Sequence, residues 1–249
     1  MLDFSDKYIL ITGASSGLGR ALSIELDSYG ANLVLTGRNK FELQNTLGIL
    51  KGKKNIIFNH DLNEISQLPA LLDKIFSKNI VYDGFVHCAG IHTFLPLNLL
   101  KLDDISVAFH VNVYAPFLII KEFSKKKNFN PKASIVLISS VMASLGSSSL
   151  SVYSSSKAAQ LGLVKSLAVE LAKKEIRVNS VSASLLESKI LDKVKTKTSK
   201  NSFHEIENKH LLGLGTYDDL IPSIVHLLSD KSLWTTGSNM IVDGGYSSW

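Results

Sequence analysis

Tyr153 and Lys157 stand four residues apart in Tyr153-Ser154-Ser155-Ser156-Lys157, at the start of an apolar-periodic run, so on a helix both project from one face. A tyrosine titrates near pH ~10 in water, and an ammonium held beside it favours the phenolate and makes the hydroxyl a better acid at neutral pH. Ser140 lies upstream at the end of a strand-like run, where the connecting loop can return its hydroxyl to the tyrosine. A serine, tyrosine and lysine set of this kind suits proton transfer to or from the oxygen of a carbonyl or alcohol. The spacing alone also falls by chance on many helices, so the elements around it must decide.

Those elements alternate. Residues 8–12, a β-branched apolar run, are followed by glycines and a periodic segment from Leu18 to Tyr29, which predicts strand, glycine turn, helix. Strands are expected again at Asn32–Thr36, Ile56–Asn59, Gly84–His87, Ser134–Ile138, Arg177–Val181 and Met240–Val242, with helical patterns between them. Alternation at this spacing predicts a single α/β domain over residues 1–249: a Rossmann-type, doubly wound parallel sheet of about seven strands with helices on both faces. Asp103 to Lys125 reads as a long helix that Pro116 must kink or restart. Residues 185–210 form a polar, lysine-rich insertion after a strand's carboxyl end, either a substrate lid or a solvated excursion.

The first glycine turn carries a second chemistry. Thr12 through Gly13, Ser15, Ser16, Gly17, Leu18 and Gly19 lies between strand and helix, where glycines let the backbone approach a pyrophosphate and the helix N-terminus offers unpaired N–H groups. At the end of the second strand, where a carboxylate would bind a ribose diol, Gly37 is followed by Arg38. A guanidinium there suits a ribose 2′-phosphate, so NADP(H) is preferred over NAD(H), with Asn39 and Ser15 adding hydrogen bonds. The alternative is that Arg38 and Asn39 only open the next helix. Asp61 and Leu62 either border an adenine or, for Asp61, cap a helix. Arg20 reads as a surface residue.

A net charge of +5, from 27 basic and 22 acidic residues, mildly favours acidic or phosphorylated partners. The lysines are scattered except at Lys125–Lys127 and in a thinner series from Lys189 to Lys200, and neither group is interleaved with aromatics, so no nucleic-acid partner is expected. A single cysteine, Cys88, excludes an intrachain disulfide and a cysteine-rich metal site. Apolar runs break well short of the ~20 residues of a membrane span, which leads to the expectation of a cytoplasmic protein with no metal.

From about Lys7 to Tyr246 the sequence resembles the short-chain dehydrogenase/reductase family, on the residues above together with Cys88-Ala89-Gly90, Asn112, Ile138-Ser139-Ser140, Arg177-Val178-Asn179 and Val242-Asp243-Gly244-Gly245. The resemblance implies hydride transfer between a nicotinamide and a carbonyl or alcohol carbon, with Tyr153 as general acid or base and Ser140 on the substrate oxygen. Lys157 would lower the tyrosine pKa and hold the nicotinamide ribose, and Asn112 would anchor a water linking Lys157 to solvent. It also implies a homotetramer. The C-terminal half is similar to 3-oxoacyl-carrier-protein reductases, which makes a 3-oxoacyl thioester one substrate reading and a saccharide or other small ketone another. Lys125–Lys127, Lys173 and Lys174 are candidate contacts for an acidic carrier protein. Two departures are visible: His87-Cys88 stands where the family has two asparagines, and Ala183-Ser184 where it has Pro-Gly, with Ser188 left to supply a cofactor hydroxyl. They motivate a second class of reading, a cofactor-binding protein without catalysis.

Overall fold

A computed structural model of the chain describes residues 2–248, the side chains of residues 189 and 193 excepted. The end residues of the expected 1–249 span and the Lys189 side chain therefore lie outside the described residues. Seven parallel strands form one sheet in the order β3-β2-β1-β4-β5-β6-β7. They are β1 (Tyr8–Thr12), β2 (Asn32–Gly37), β3 (Ile56–Asn59), β4 (Tyr82–His87), β5 (Phe129–Ser140), β6 (Arg177–Ala183) and β7 (Asn239–Val242). Central strands such as β1 and the end of β5 are continuous apolar runs because both faces are covered. β5 starts five residues before the predicted Ser134, and its pairing with β4 shifts register between Tyr82 and Gly84.

On one face α1 (Gly17–Ser28), α2 (Lys40–Ile49) and α9 (Tyr217–Leu228) bury Leu22, Leu26, Leu43, Leu220 and Ile224 against the sheet. On the other, α3 (Leu68–Phe76), α4 (Leu102–Phe109), α5 (Ala115–Phe123) and α6 (Ser151–Leu171) bury Leu72, Ile119, Phe123, Val164 and Leu167 around Phe85 and Tyr82. Each such side chain contributes roughly 1.5–3 kcal/mol of transfer free energy, so the two apolar layers fix the sheet between them. Arg177 and Asn179 of β6 bond the carbonyl of Thr235, joining the last crossover to the sheet.

The long helix restarts at Pro116, one of the two expected outcomes: α5 begins at Ala115 with the proline in its first turn, and what the sequence does not announce is the π-helical turn at His110–Tyr114 just before it. Pro116 has no N–H for the carbonyl four residues earlier, that of Asn112, so the ladder must loosen there. Taken through this turn, Leu102–Phe123 is one 22-residue helical stretch that by length and composition could cross a membrane, which the interrupted runs in the sequence conceal. Here its buried side packs on β4 and β5. Residues 185–210 contain two short helices, α7 (Lys189–Lys197) and α8 (Lys200–Asn208), capped by Ser188 and Ser199.

Candidate active site

The strand order reverses direction between β1 and β4, and a crevice opens at the carboxyl ends of the strands there. Gly13, Arg38, Asp61, Cys88, Ser140 and Ser184, the residues that follow or end six consecutive strands of the chain, line one cavity of about 700 Å³. At its nucleotide end Ser15, Ser16, Gly17, Leu18, Gly19, Leu62, Ala89 and Gly90 also line the wall. Gly13 has φ +70, and a β-carbon on it would lie 2.7 Å from the Ala89 nitrogen, so no other residue fits this turn. The N-terminus of α1 receives no side-chain cap from Ser16, leaving its N–H groups for an anion. Arg20, expected to be a surface residue, instead clamps the turn: its guanidinium donates to the Ser15 carbonyl and to Glu42, and Thr46 donates to the Ala14 carbonyl at 2.9 Å.

Two buried polar atoms in this wall, Thr36 Oγ1 and His60 Nε2, have no hydrogen-bond partner, which is the state of a site shaped for a polar ligand. The residues present thus fit a dinucleotide. Arg38 is exposed at the rim of the cavity. Asn39 does not line it: its side chain accepts from Glu42 N at 3.0 Å and caps α2. Asp61 accepts from Asn63 N at 3.0 Å while still facing the cavity.

At the reacting end Tyr153 and Lys157 leave the first turns of α6 on one face, as their spacing demands. The Ser140 hydroxyl is close enough to the Tyr153 phenol to favour its ionised form, and its oxygen accepts from Met142 N at 3.2 Å. Enclosure of the phenol pushes its pKa up, and the Ser140 hydrogen bond only partly offsets this. The expected lowering of the tyrosine pKa is therefore not what the geometry gives, because the desolvation of a phenolate outweighs the help. Lys157 Nζ lies 5.9 Å from the ring centroid and donates to Ile138 O at 2.6 Å. Burial holds the Lys157 ammonium down to about 8.

Asn112 sits behind the cavity, fully buried in the π-helical turn. Its side chain accepts from Ile91 N at 2.8 Å and donates to Ile91 O and to Ser156, so it braces the loop after β4. The departure at His87 has a clear geometry. Its Nε2 faces the Val111 carbonyl at 3.0 Å and must donate to it, which leaves Nδ1 to accept from Thr12 at 2.9 Å. The ring is a neutral brace joining β1, β4 and the π turn, and burial lowers its pKa to about 3. Burial likewise pushes the Cys88 thiol up to about 12.

The family described as enoyl-(acyl carrier protein) reductase matches residues 13–247. The chain belongs to the short-chain dehydrogenase/reductase family. It is 30% identical over 250 residues to a 3-oxoacyl-[acyl-carrier-protein] reductase of Rickettsia felis, covering 98% of each chain. It is 31% identical to an L-xylulose reductase of Caenorhabditis elegans, covering 98% of this chain and 97% of that one. Among solved structures it superposes on 4-hydroxyisoleucine dehydrogenase complexed with NADH with a TM-score of 0.89 and 27% identity, covering 98% and 100% of the two chains. The protein is thus an oxidoreductase of this family, whose members use a nicotinamide cofactor and act on small molecules.

Several residues of this short-chain dehydrogenase/reductase site have no signal in the sequence. His92 packs against the Tyr153 ring at 4.6 Å between centroids, and Phe94, Ile190, Val194, Ile206 and Tyr246 line the cavity beyond it. Met142 and Leu150 face this cavity, whereas Val152 is buried away from it. At the other departure Ser184 bonds His210 Nε2 at 2.9 Å, and His210 Nδ1 meets Ile206 O at 2.9 Å, so a histidine ties the turn after β6 to α8. Ser188 lines the cavity, but its hydroxyl is engaged as the N-cap of α7. The lysines that are candidate contacts for a carrier protein do not line the cavity. Lys125–Lys127 and Lys173–Lys174 follow the far ends of α5 and α6, at the amino ends of β5 and β6 and so at the end of the sheet opposite the cavity, with Lys173 about 30 Å along the α6 axis from Tyr153.

Proposed function

We propose that the protein is an NADPH-preferring carbonyl reductase for a substrate with a largely apolar body, a 3-oxoacyl thioester being the class that fits best. The observation that carries the proposal is the Ser140, Tyr153 and Lys157 set opening into the same cavity as the glycine turn and Arg38. A nicotinamide, when bound, supplies or accepts the hydride. Gly13 to Gly19 and the α1 N-terminus hold the pyrophosphate, Arg38 pairs with a 2′-phosphate, and Cys88, Ala89 and Gly90 admit the cofactor backbone closely. In reduction Tyr153 Oη gives its proton to the substrate oxygen while Ser140 Oγ donates a hydrogen bond to the same atom. Burial pushes the Tyr153 pKa up, so the phenol carries the proton that reduction takes from it.

The substrate reading rests on Phe94, Met142, Leu150, Ile190, Val194 and Ile206, which make the wall beyond Tyr153 apolar and suit an acyl chain better than a sugar. Residues 185–210 act as the lid of that wall, within one domain spanning the chain. The test is NADPH consumption with a panel of 3-oxoacyl thioesters, simple ketones and sugar ketones. Thioesters are expected to turn over fastest and Tyr153→Phe to reduce kcat by about 10²–10⁴-fold; turnover persisting in Tyr153→Phe sinks the mechanism.

A further inference from the structure

Gln160 lies one turn beyond Lys157 on α6 and is fully buried. Its Nε2 meets the backbone carbonyl of Asn112 at 2.7 Å, and its Oε1 lies 3.5 Å from Lys157 Nζ. The amide orientation is dictated by chemistry: a carbonyl only accepts and an ammonium only donates, so nitrogen must face Asn112 and oxygen must face Lys157. Pro116, four residues on, has no N–H to offer the Asn112 carbonyl, and the Gln160 amide donates to it. We propose that Gln160 is a positioning residue which couples the Lys157 ammonium to the Asn112 carbonyl through its own side chain, where the family resemblance implies a water.

This rests on the proposed carbonyl reductase mechanism and deepens it. Lys157 has two acceptors among the described contacts, Ile138 O and Gln160 Oε1, while burial holds its ammonium down to about 8 and the neighbouring Cys88 partly offsets this. The titratable groups facing it are His87 and Cys88 from the end of β4 and Tyr153 on its own helix, with His92 behind the tyrosine ring. Burial pushes the His87 pKa down to about 3, the Cys88 thiol up to about 12 and the Tyr153 phenol above its ordinary value, so replacing the uncharged Gln160 perturbs Lys157 without adding or removing a group that titrates beside it.

The experiment is an NMR titration of isotope-labelled lysine ε-carbons in the cofactor-free protein, with the Lys157 signal assigned by its loss in Lys157→Met. Gln160→Met removes the acceptor and should move the Lys157 midpoint to lower pH; Gln160→Glu adds a carboxylate and should move it to higher pH. Turnover in Gln160→Met should show kcat about five- to tenfold lower with KM unchanged and an alkaline limb displaced toward neutrality. A Lys157 midpoint that Gln160→Met leaves in place or raises, or that moves the same way in both variants, overturns the proposal. Because the titration needs neither cofactor nor substrate, it remains decisive even if no carbonyl compound is turned over, an outcome that would count against the reductase reading alone.

Discussion

Arg38 is the residue on which cofactor choice turns. Its guanidinium follows the last residue of β2 at the cavity rim, with no carboxylate at that strand end to receive a ribose diol. Arg38→Asp is expected to weaken NADPH binding by roughly 10–100-fold while leaving NADH binding equal or improved, as read by fluorescence titration of the two cofactors. Equal affinity of the unaltered protein for both would defeat the assignment. Arg20 shows the opposite case. Its place just after Gly19 says nothing of the Ser15 carbonyl and Glu42 that it joins, because Glu42 comes from a different helix. Thr36 and His60 were equally silent: an unpartnered buried atom is defined by neighbours, not by sequence.

At the scale of elements, the His87 brace couples β1, β4 and the π-helical turn, and its charge state is linked to stability. Its pKa falls from the ordinary 6.5 to about 3 on folding, so the unfolded chain takes up a proton first as the solution is acidified. The stabilisation is present above 6.5 and is lost as pH falls through the window toward 3, with a slope of at most ~1.4 kcal/mol per pH unit. Urea midpoints measured across that window should show this slope in the unaltered protein and lose it in His87→Asn. A slope unchanged by that substitution would show that other groups govern the acid limb. The π turn is half legible from sequence, since Pro116 guarantees an interruption, but that the interruption falls before the proline and places Asn112 beside Ile91 depends on packing against β4.

For the whole molecule, the feature still unaccounted for is the exposed apolar surface of adjacent helices. Leu102 of α4, Phe117 of α5 and Val169 of α6 are 76%, 50% and 79% exposed, on the layer that covers β4 and β5. The homotetramer expected from family resemblance would cover this surface with the same helices of another copy, as a self-complementary interface requires. Sedimentation velocity should find an oligomer for the unaltered protein and a smaller species for Phe117→Glu combined with Val169→Glu. A monomer before any substitution would remove this reading.

By itself the sequence determined the alternation of strands and helices, the glycine turn and the Tyr153–Lys157 face, because these depend on periodicity and spacing along one segment. That Gly13, Arg38 and Ser140 fall at one end of the sheet follows from that alternation, since parallel strands joined by crossover helices carry the loops after them to the same end; the order β3-β2-β1-β4-β5-β6-β7, which sets where the crevice opens, does not. What only the tertiary structure decided is the company each group keeps: Gln160 between Lys157 and Asn112, His87 between Thr12 and Val111, His210 on Ser184, and apolar side chains of α7 and α8 over the cavity. The direction of the Tyr153 shift belongs with these. Desolvation is set by everything that surrounds a phenol, and what surrounds Tyr153 is decided only when the chain folds.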